Sequence, residues 1–375
     1  MITRKLKERI IEVYGKWKTI ILYGARQVGK TTLLLEIVRE KWVPYKYYDA
    51  DIISERGLFE SENLDRISTD IGSVSCVIID EAQKIANIGR ILKVFHDHMP
   101  HIQWIASGSS SFDLAEKTRE SMAGRTYEFF LSPLLFSELG LSLLEAENTL
   151  DTLLRYGLYP SPYTHSGDIA RIELTTLTSQ ILSKDILEIE GIRKWPIIVR
   201  LLQLLALQIG QIISYSELAR EIGVSTVTIQ KYIHLLEESF IIFSLHWFSR
   251  NMRNELKKSP KIYFYDVGIR NAIIEDWKPI HLRSDIGNLW ENFIIAEIYK
   301  HTRSLSYGKG YFWRTKEGKE IDYILEKDGE IRAFEIKWWE KWGKHFSSFK
   351  KGYPESQEIL VNKETFFSVL TWNTL

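Results

Sequence analysis

The sequence predicts an α/β protein that begins with a parallel sheet carrying helices on both faces and continues through further helical and mixed units. Three observations carry this expectation. Short apolar runs alternate with helical periods over the first part of the chain, a glycine-rich turn joins the first of these runs to a helix, and a later run ends in two adjacent acids. The 375 residues exceed one ordinary core and imply two or three domains.

The elements follow in order. TIILY (19–23) reads as a buried strand, followed by the turn and the helix KTTLLLEIVREKW. PYKYYDAD (44–51), VSCVIID (74–80), IQWIAS (102–107) and TYEFFL (126–131) supply four more strands, which defines a core over 1–134. Residues 135–210 turn helical: LSLLEAENTLDTLLRYG and IELTTLTSQILSKDILEI carry apolar residues at helical spacing, separated by LYPSPY (158–163), and predict a helical lid. Over 211–265, SYSELAREIGVSTVTIQKYIHLLEE reads as helix, glycine turn, helix, with FIIFSLHWF and KIYFYD as two strands of a wing. The last unit, 266–375, combines the helix GNLWENFIIAEIYK with strands YFWRT, EIDYILE and EIRAFEIKWW. There is no internal repeat, and SRNMRNELKKSPK (249–261) is the nearest thing to a polar linker.

Composition narrows the function classes. Hydrophobic residues at 45% and charged residues at 26% are ordinary for a globular chain. Acids and bases balance at 49 each, so no global field draws nucleic acid or an anionic membrane, and any such contact needs a local patch. The single cysteine, Cys76, excludes an internal disulfide, sits in an apolar strand as a core residue and fits a reducing interior. MITRKLKERIIEV reads as a charged amphipathic helix rather than a signal peptide. The longest apolar stretch, IVRLLQLLALQIG, is short and carries Arg200, Gln203 and Gln208, so the expectation is a cytoplasmic protein with no membrane partner.

Gly24-Ala25-Arg26-Gln27-Val28-Gly29-Lys30-Thr31 matches the full GxxxxGK[ST] pattern, and it follows a strand and opens a helix, as the chemistry requires. Gly24 and Gly29 let backbone N–H groups curl around phosphate oxygens, and the helix start adds positive potential. Lys30 places its ammonium at the β/γ-phosphates, the Thr31 hydroxyl ligates Mg²⁺, and Thr32 follows in the helix. The expected cofactors are therefore ATP and Mg²⁺. In VIIDE, an apolar strand ends in Asp80, placed to hold Mg²⁺ through water, and Glu81, placed to orient the attacking water.

GARQVGKTTLL, IIDEAQKI, ASGSSS and AGRTYEFFLSPLLFSEL together resemble the AAA+-type ATPases of archaea and bacteria that carry a C-terminal restriction-endonuclease-like domain of unknown function. The resemblance covers nearly the whole chain. It implies a sheet in which the fourth strand lies between the P-loop strand and the Asp-Glu strand. It makes Ser109, or the adjacent Ser110, the polar sensor near the γ-phosphate, with a helix cap as the alternative, and Arg125 an arginine acting on that phosphate in cis or from a neighbouring subunit of an oligomer, with a surface ion pair as the alternative. Arg26 is read as a phosphate-side or structural arginine. The fold class expected is thus a P-loop NTPase sheet with a helical lid, a winged helix-turn-helix and a C-terminal restriction-endonuclease-like α/β domain.

In the helix-turn-helix stretch, Leu218, Ala219 and Ile222 are expected to pack on Val227, Ile229, Ile233 and Leu236. That leaves Ser225, Thr226, Thr228, Gln230 and Lys231 facing a DNA major groove, with Arg250, Arg253, Lys257, Lys258 and Lys261 to neutralise phosphates. The alternative is a protein-binding module or spacer. Further on, Asp322 precedes a strand bearing Glu335-Ile336-Lys337, the pattern of metal-dependent restriction-type nucleases: Asp322, Glu335 and the helical acid Glu291 as metal ligands, Lys337 on the attacking water, Glu320 beside them. The alternative is an ion-pair cluster in a domain without cleavage. DNA or RNA is the expected partner in the first case. His96, His98 and His101 read as surface histidines at a helix end.

Overall fold

The computed structural model describes residues 2–109, 122–183, 195–249, 259–305, 307–339 and 346–372. Ser110, Arg250, Arg253, Lys257 and Lys258, singled out above, lie outside the described residues. Two compact units divide between Ser132 and Pro133.

The first unit contains helices α1 (Leu6–Val13), α2 (Lys30–Glu40), α3 (Ile53–Glu60), α4 (Leu64–Ile71) and α5 (Ile88–His98). They accompany strands β1 (Thr19–Tyr23), β2 (Tyr45–Asp49), β3 (Cys76–Asp80), β4 (Gln103–Gly108) and β5 (Thr126–Phe130). The strands form one parallel sheet ordered β2-β3-β4-β1-β5, so β4 does lie between the P-loop strand and the Asp-Glu strand. A strand buried on both faces needs a continuous apolar run, and CVIID is buried along its whole length, Cys76 included. Ile67, Ile71, Leu92, Phe95 and Trp104 are in the core that covers one face. All five strands run the same way, so β1 and β3 deliver their C-terminal residues, and the loops that follow them, to one edge.

The second unit starts with α6 (Leu143–Tyr156), α7 (Pro160–Tyr163), α8 (Gly167–Ile181), α9 (Trp195–Leu207), α10 (Tyr215–Ile222) and α11 (Thr226–Glu238). It continues through β6 (Ile242–Trp247), β7 (Lys261–Phe264), α12 (Val267–Ile274), α13 (Ile286–Ser304), β8 (Lys309–Arg314), β9 (Glu320–Lys327), β10 (Glu330–Ile336), α14 (Phe346–Gly352), β11 (Gln357–Val361) and α15 (Phe366–Leu370). The Ser142 hydroxyl accepts from Glu145 N while the Glu145 carboxylate accepts from Ser142 N, a reciprocal cap that fixes the start of α6.

Two domain expectations need correction. The helices expected as a separate lid are stitched to later residues of the same unit: buried Asp266 accepts from Leu158 N at 2.6 Å, and Asn271 Nδ2 donates to Leu154 O at 2.9 Å. The expected wing is also absent as a separate hairpin. β6 pairs antiparallel with β7 but also parallel with β8, giving one six-stranded sheet ordered β11-β10-β9-β8-β6-β7. A boundary at 265/266 would cut that sheet. No helix among the described residues is long and apolar enough to cross a membrane.

Candidate functional site

The P-loop is shaped by what its glycines avoid. A Cβ on Gly24 would lie 2.0 Å from the Leu131 carbonyl oxygen, so no other residue fits as the chain leaves β1. Gly29 turns into α2 with φ +94° and nothing within 4 Å of where a Cβ would stand, an open cradle at a helix N-terminus. Ala25 and Val28 are buried, so only their backbone faces that cradle, and Gln27 is left-handed at φ 59°. Lys30 begins α2, and its Nζ donates to Gly24 O at 2.8 Å and Ala25 O at 3.0 Å, bringing the ammonium back across the loop. Arg4 of the N-terminal segment, which sequence reasoning missed, braces the loop from behind: its guanidinium donates to Val28 O at 2.7 Å and Ser132 O at 2.6 Å. Arg26 stays within the loop, and Thr32 is exposed on the first turn of α2.

Asp80 ends β3 and is surrounded by hydroxyl donors. Thr31 Oγ1 donates to Oδ2 at 2.5 Å, Tyr47 OH to Oδ2 at 2.9 Å and Ser107 Oγ to Oδ1 at 2.6 Å. Burial pushes this carboxyl up, but the hydrogen bonds from Ser107, Thr31 and Tyr47 with the charge of Lys30 outweigh it and hold Asp80 below the usual carboxylate range. Glu81 follows in a left-handed conformation at φ 49°. Its Oε2 accepts from Gln83 Nε2 at 2.6 Å and from Ser109 Oγ at 3.3 Å. Tyr47, Ser107 and Gln83 were not found from the sequence. Tyr47 and Ser107 near the C-terminal ends of neighbouring strands, and Gln83 two residues past the acid pair, are the signal that would have found them.

Lys30, Thr31, Asp80, Glu81 and Ser109 therefore share one edge. Thr31 and Asp80 offer the hard oxygens Mg²⁺ prefers, and an ion of this kind takes its remaining ligands from water and phosphate, so the donor set fits. Arg125 does not belong to this edge. Its carbonyl accepts from Thr19 N at the start of β1, at the opposite end of the strand. That is about 16 Å from the P-loop at strand rise, and its Nε donates to Asp97 Oδ1 at 3.0 Å. An action in cis on the γ-phosphate is excluded by this placement.

The helix-turn-helix stretch forms, with Ser214 and Ser225 capping its two helices and Gly223 left-handed between them. Its packing differs from expectation. Val227 is 73% exposed, and Tyr232 and Leu235 are buried with Ile229, Ile233 and Leu236 instead. The Ser225 and Thr228 hydroxyls, both in the expected outward-reading set, are bonded to each other at 2.8 Å in the cap.

In the C-terminal unit, antiparallel β9 and β10 bring Asp322 beside Glu335 and Lys337. Asp322 Oδ2 accepts from Ile336 N at 2.7 Å and Lys337 Nζ at 3.0 Å, and Lys337 lies 4.0 Å from Glu335. Glu291 of α13 accepts from Tyr263 OH at 2.7 Å and lies 3.5 Å from Lys261, which also pairs with Glu320. Burial raises the Glu291 carboxyl, with Lys261 opposing. Lys261 is thus no phosphate contact: it is 2% exposed and locked between carboxylates, whose charge outweighs burial and holds its ammonium well above the ordinary lysine range. Glu291, Asp322 and Glu335, the expected metal ligands, each lie beside a lysine ammonium. Among the described residues no three His, Cys, Asp or Glu side chains gather to hold an ion, and here lysine ammoniums stand between the acids.

Comparisons with known proteins agree with the first unit and leave the second open. Residues 16–140 match the model of an AAA domain, while 147–278 and 286–370 match two domains of unknown function, DUF8612 and DUF4143. The chain is 30% identical over 340 residues to the uncharacterized proteins Mb2031c of Mycobacterium bovis and Rv2008c of Mycobacterium tuberculosis, covering 89% of this chain and 73% of each. It is 26% identical over 367 residues to the uncharacterized protein MJ1637 of Methanocaldococcus jannaschii, covering 85% of this chain and 76% of that one. Among solved structures it is similar to the Thermotoga maritima RuvB Holliday junction branch migration motor, at 16% identity and a TM-score of 0.32 over 64% of this chain and 89% of that one.

Proposed function

Because the chain belongs to the family of the mycobacterial proteins Mb2031c and Rv2008c, and carries an AAA domain, we propose that it is a Mg²⁺-dependent ATPase working at residues 24–31, Asp80 and Glu81. The observation that carries this reading is the convergence of Lys30, Thr31, Asp80 and Glu81 on one sheet edge, with Thr31 bonded to Asp80.

In this reading the backbone N–H groups of 24–31 and the start of α2 cradle the phosphates. Lys30 exchanges the carbonyls of Gly24 and Ala25 for β/γ-phosphate oxygens. Thr31 and Asp80 would hold Mg²⁺, which when bound supplies positive charge to the transferring phosphoryl group. Glu81 orients a water for attack, and Gln83 and Ser109 set its direction. The test is ATP turnover of Lys30→Ala, expected to fall by about 100-fold or more together with weaker ATP binding. Turnover at the wild-type rate would remove the assignment. Arg125 is left with its surface ion pair to Asp97 or with an in-trans role, which requires an oligomer; in the second case Arg125→Ala should slow turnover only at protein concentrations where the oligomer forms, and in the first not at all.

For the second unit, α13, antiparallel β8-β9-β10, α14 and parallel β11 support a nuclease-like domain. The insertion of Lys261 among its acids favours the reading in which ATP state gates binding of DNA, RNA or protein without cleavage. Incubating wild type and Asp322→Ala with DNA and RNA in Mg²⁺ or Mn²⁺ decides it. Cleavage lost in the variant sinks the binding-only reading, and intact substrates throughout support it.

A further inference from the structure

The edge of the five-stranded sheet opposite the P-loop holds a feature that ATP turnover does not use. The turn between α1 and β1, the end of α5 and the start of β4 enclose a cavity of about 200 Å³, bordered by Trp17, Thr19, His96, His101 and Trp104. Two polar atoms of these residues, Trp104 Nε1 and Thr19 Oγ1, are buried and have no hydrogen-bond partner among the described residues. Neither atom has accessible area, so both are sealed behind the cavity wall, and the opening itself is what an occupant would enter.

The rim adds a second, independent observation. Trp17 borders the cavity yet is 70% exposed, and it is held at φ 63°, a conformation that strains a bulky residue. Trp42, next to the lining residue Val43, is 91% exposed at φ 52°. Lys16, Lys18 and Lys41 neighbour these indoles in sequence, with Lys18 Nζ 5.0 Å from the Tyr127 ring and Lys41 Nζ 5.9 Å from the ring of the lining residue Tyr14. The acids of the same segments are already engaged: Asp97 with Arg125 at 3.0 Å, Glu40 with Lys7 at 2.5 Å and Glu12 with Arg9 at 4.0 Å. Exposed aromatic faces within positive charge are how single-stranded nucleic acid is held without sequence preference.

We propose that this edge binds single-stranded nucleic acid, with one base entering the cavity against Trp17 and neighbouring phosphates meeting Lys16, Lys18 and Lys41. The site shares no residue with the P-loop or with the C-terminal charge cluster, and it stands if either reading of those fails.

The test is fluorescence anisotropy of a labelled oligothymidylate and a labelled oligouridylate on the full chain, against a labelled duplex and an aromatic-rich peptide. Trp17→Gly removes the ring while relaxing the left-handed turn. It should weaken single-strand binding about tenfold, and Trp17→Phe should recover most of the loss. Lys16→Ala with Lys18→Ala should flatten the salt dependence by roughly 0.7 per phosphate contact removed. ATP turnover without nucleic acid should be unchanged in all of these. The proposal is overturned if wild type binds neither oligonucleotide, if it prefers duplex or peptide, or if Trp17→Gly binds as wild type does.

Discussion

Two buried carboxylate clusters in this molecule solve the same electrostatic problem with different partners. At the P-loop edge, Asp80 is satisfied by three hydroxyls, from Thr31, Tyr47 and Ser107, while Lys30 spends its ammonium on loop carbonyls. In the C-terminal unit, Asp322 is satisfied by Lys337, and Glu291 and Glu320 by Lys261. Hydroxyl donors stabilise a carboxylate without cancelling its charge, so Asp80 stays ionised and able to attract a cation. Lysine partners offset only part of that charge, since Lys261 is shared by Glu291 and Glu320 and Lys337 by Asp322 and Glu335. The first arrangement suits an ion that comes and goes with phosphate; the second already contains its cations.

Substitutions can break or sharpen this contrast. The largest expected effect is at the first cluster: Glu81→Gln should keep ATP binding but lower turnover by roughly 100- to 10,000-fold, measured by separate binding and steady-state assays. Unchanged turnover would end the role given to Glu81. Next is Lys261→Met, which leaves half-buried Glu291 without its cation while Glu320 keeps Arg314 at 3.6 Å, and should cost about 3 kcal/mol of stability, read as a fall in thermal midpoint. A loss confined to a few tenths of that would mean the acids had already found other partners. Tyr47→Phe removes one of three donors to Asp80 and should cost only about 1 kcal/mol, seen in denaturant unfolding. The smallest effect is with pH. Asp80 has a folded pKa below its ordinary 3.8, so its contribution to stability is complete above that value and is lost as pH falls from there through the lower folded value. The stability gap between wild type and Asp80→Asn should therefore narrow in acid below 3.8. A gap that persisted unchanged would place the shift elsewhere.

What the sequence made legible was local. The P-loop at 24–31 and the Asp80-Glu81 pair are contiguous, and the apolar runs of β1, β3 and β4 read directly because a central strand buried on both faces is mostly apolar, while the edge strands β2 and β5 carry Lys46 and Glu128 and are half-buried. Contacts across long sequence gaps were not legible. Arg4 reaches Val28 and Ser132, and Tyr47 reaches Asp80, over distances that no periodicity encodes. The wing failed for a related reason. Alternation assigns the faces of β6 and β7 but says nothing about a third neighbour, so the pairing of β6 with β8 was missed, and with it the fact that Lys261 points into a cluster of acids rather than toward solvent. In α11, Val227 sits on the exposed side because Tyr232 and Leu235 fill the buried one, a rotation of the apolar stripe that a short helix leaves ambiguous.

The grip of Arg4 makes the phosphate cradle mechanically sensitive. One guanidinium holds both Val28, inside the loop, and Ser132, the last residue of its unit, while the Leu131 carbonyl fills the space beside Gly24. Tension on the polypeptide as it leaves Ser132 would therefore be shared with the 24–29 turn through that one side chain.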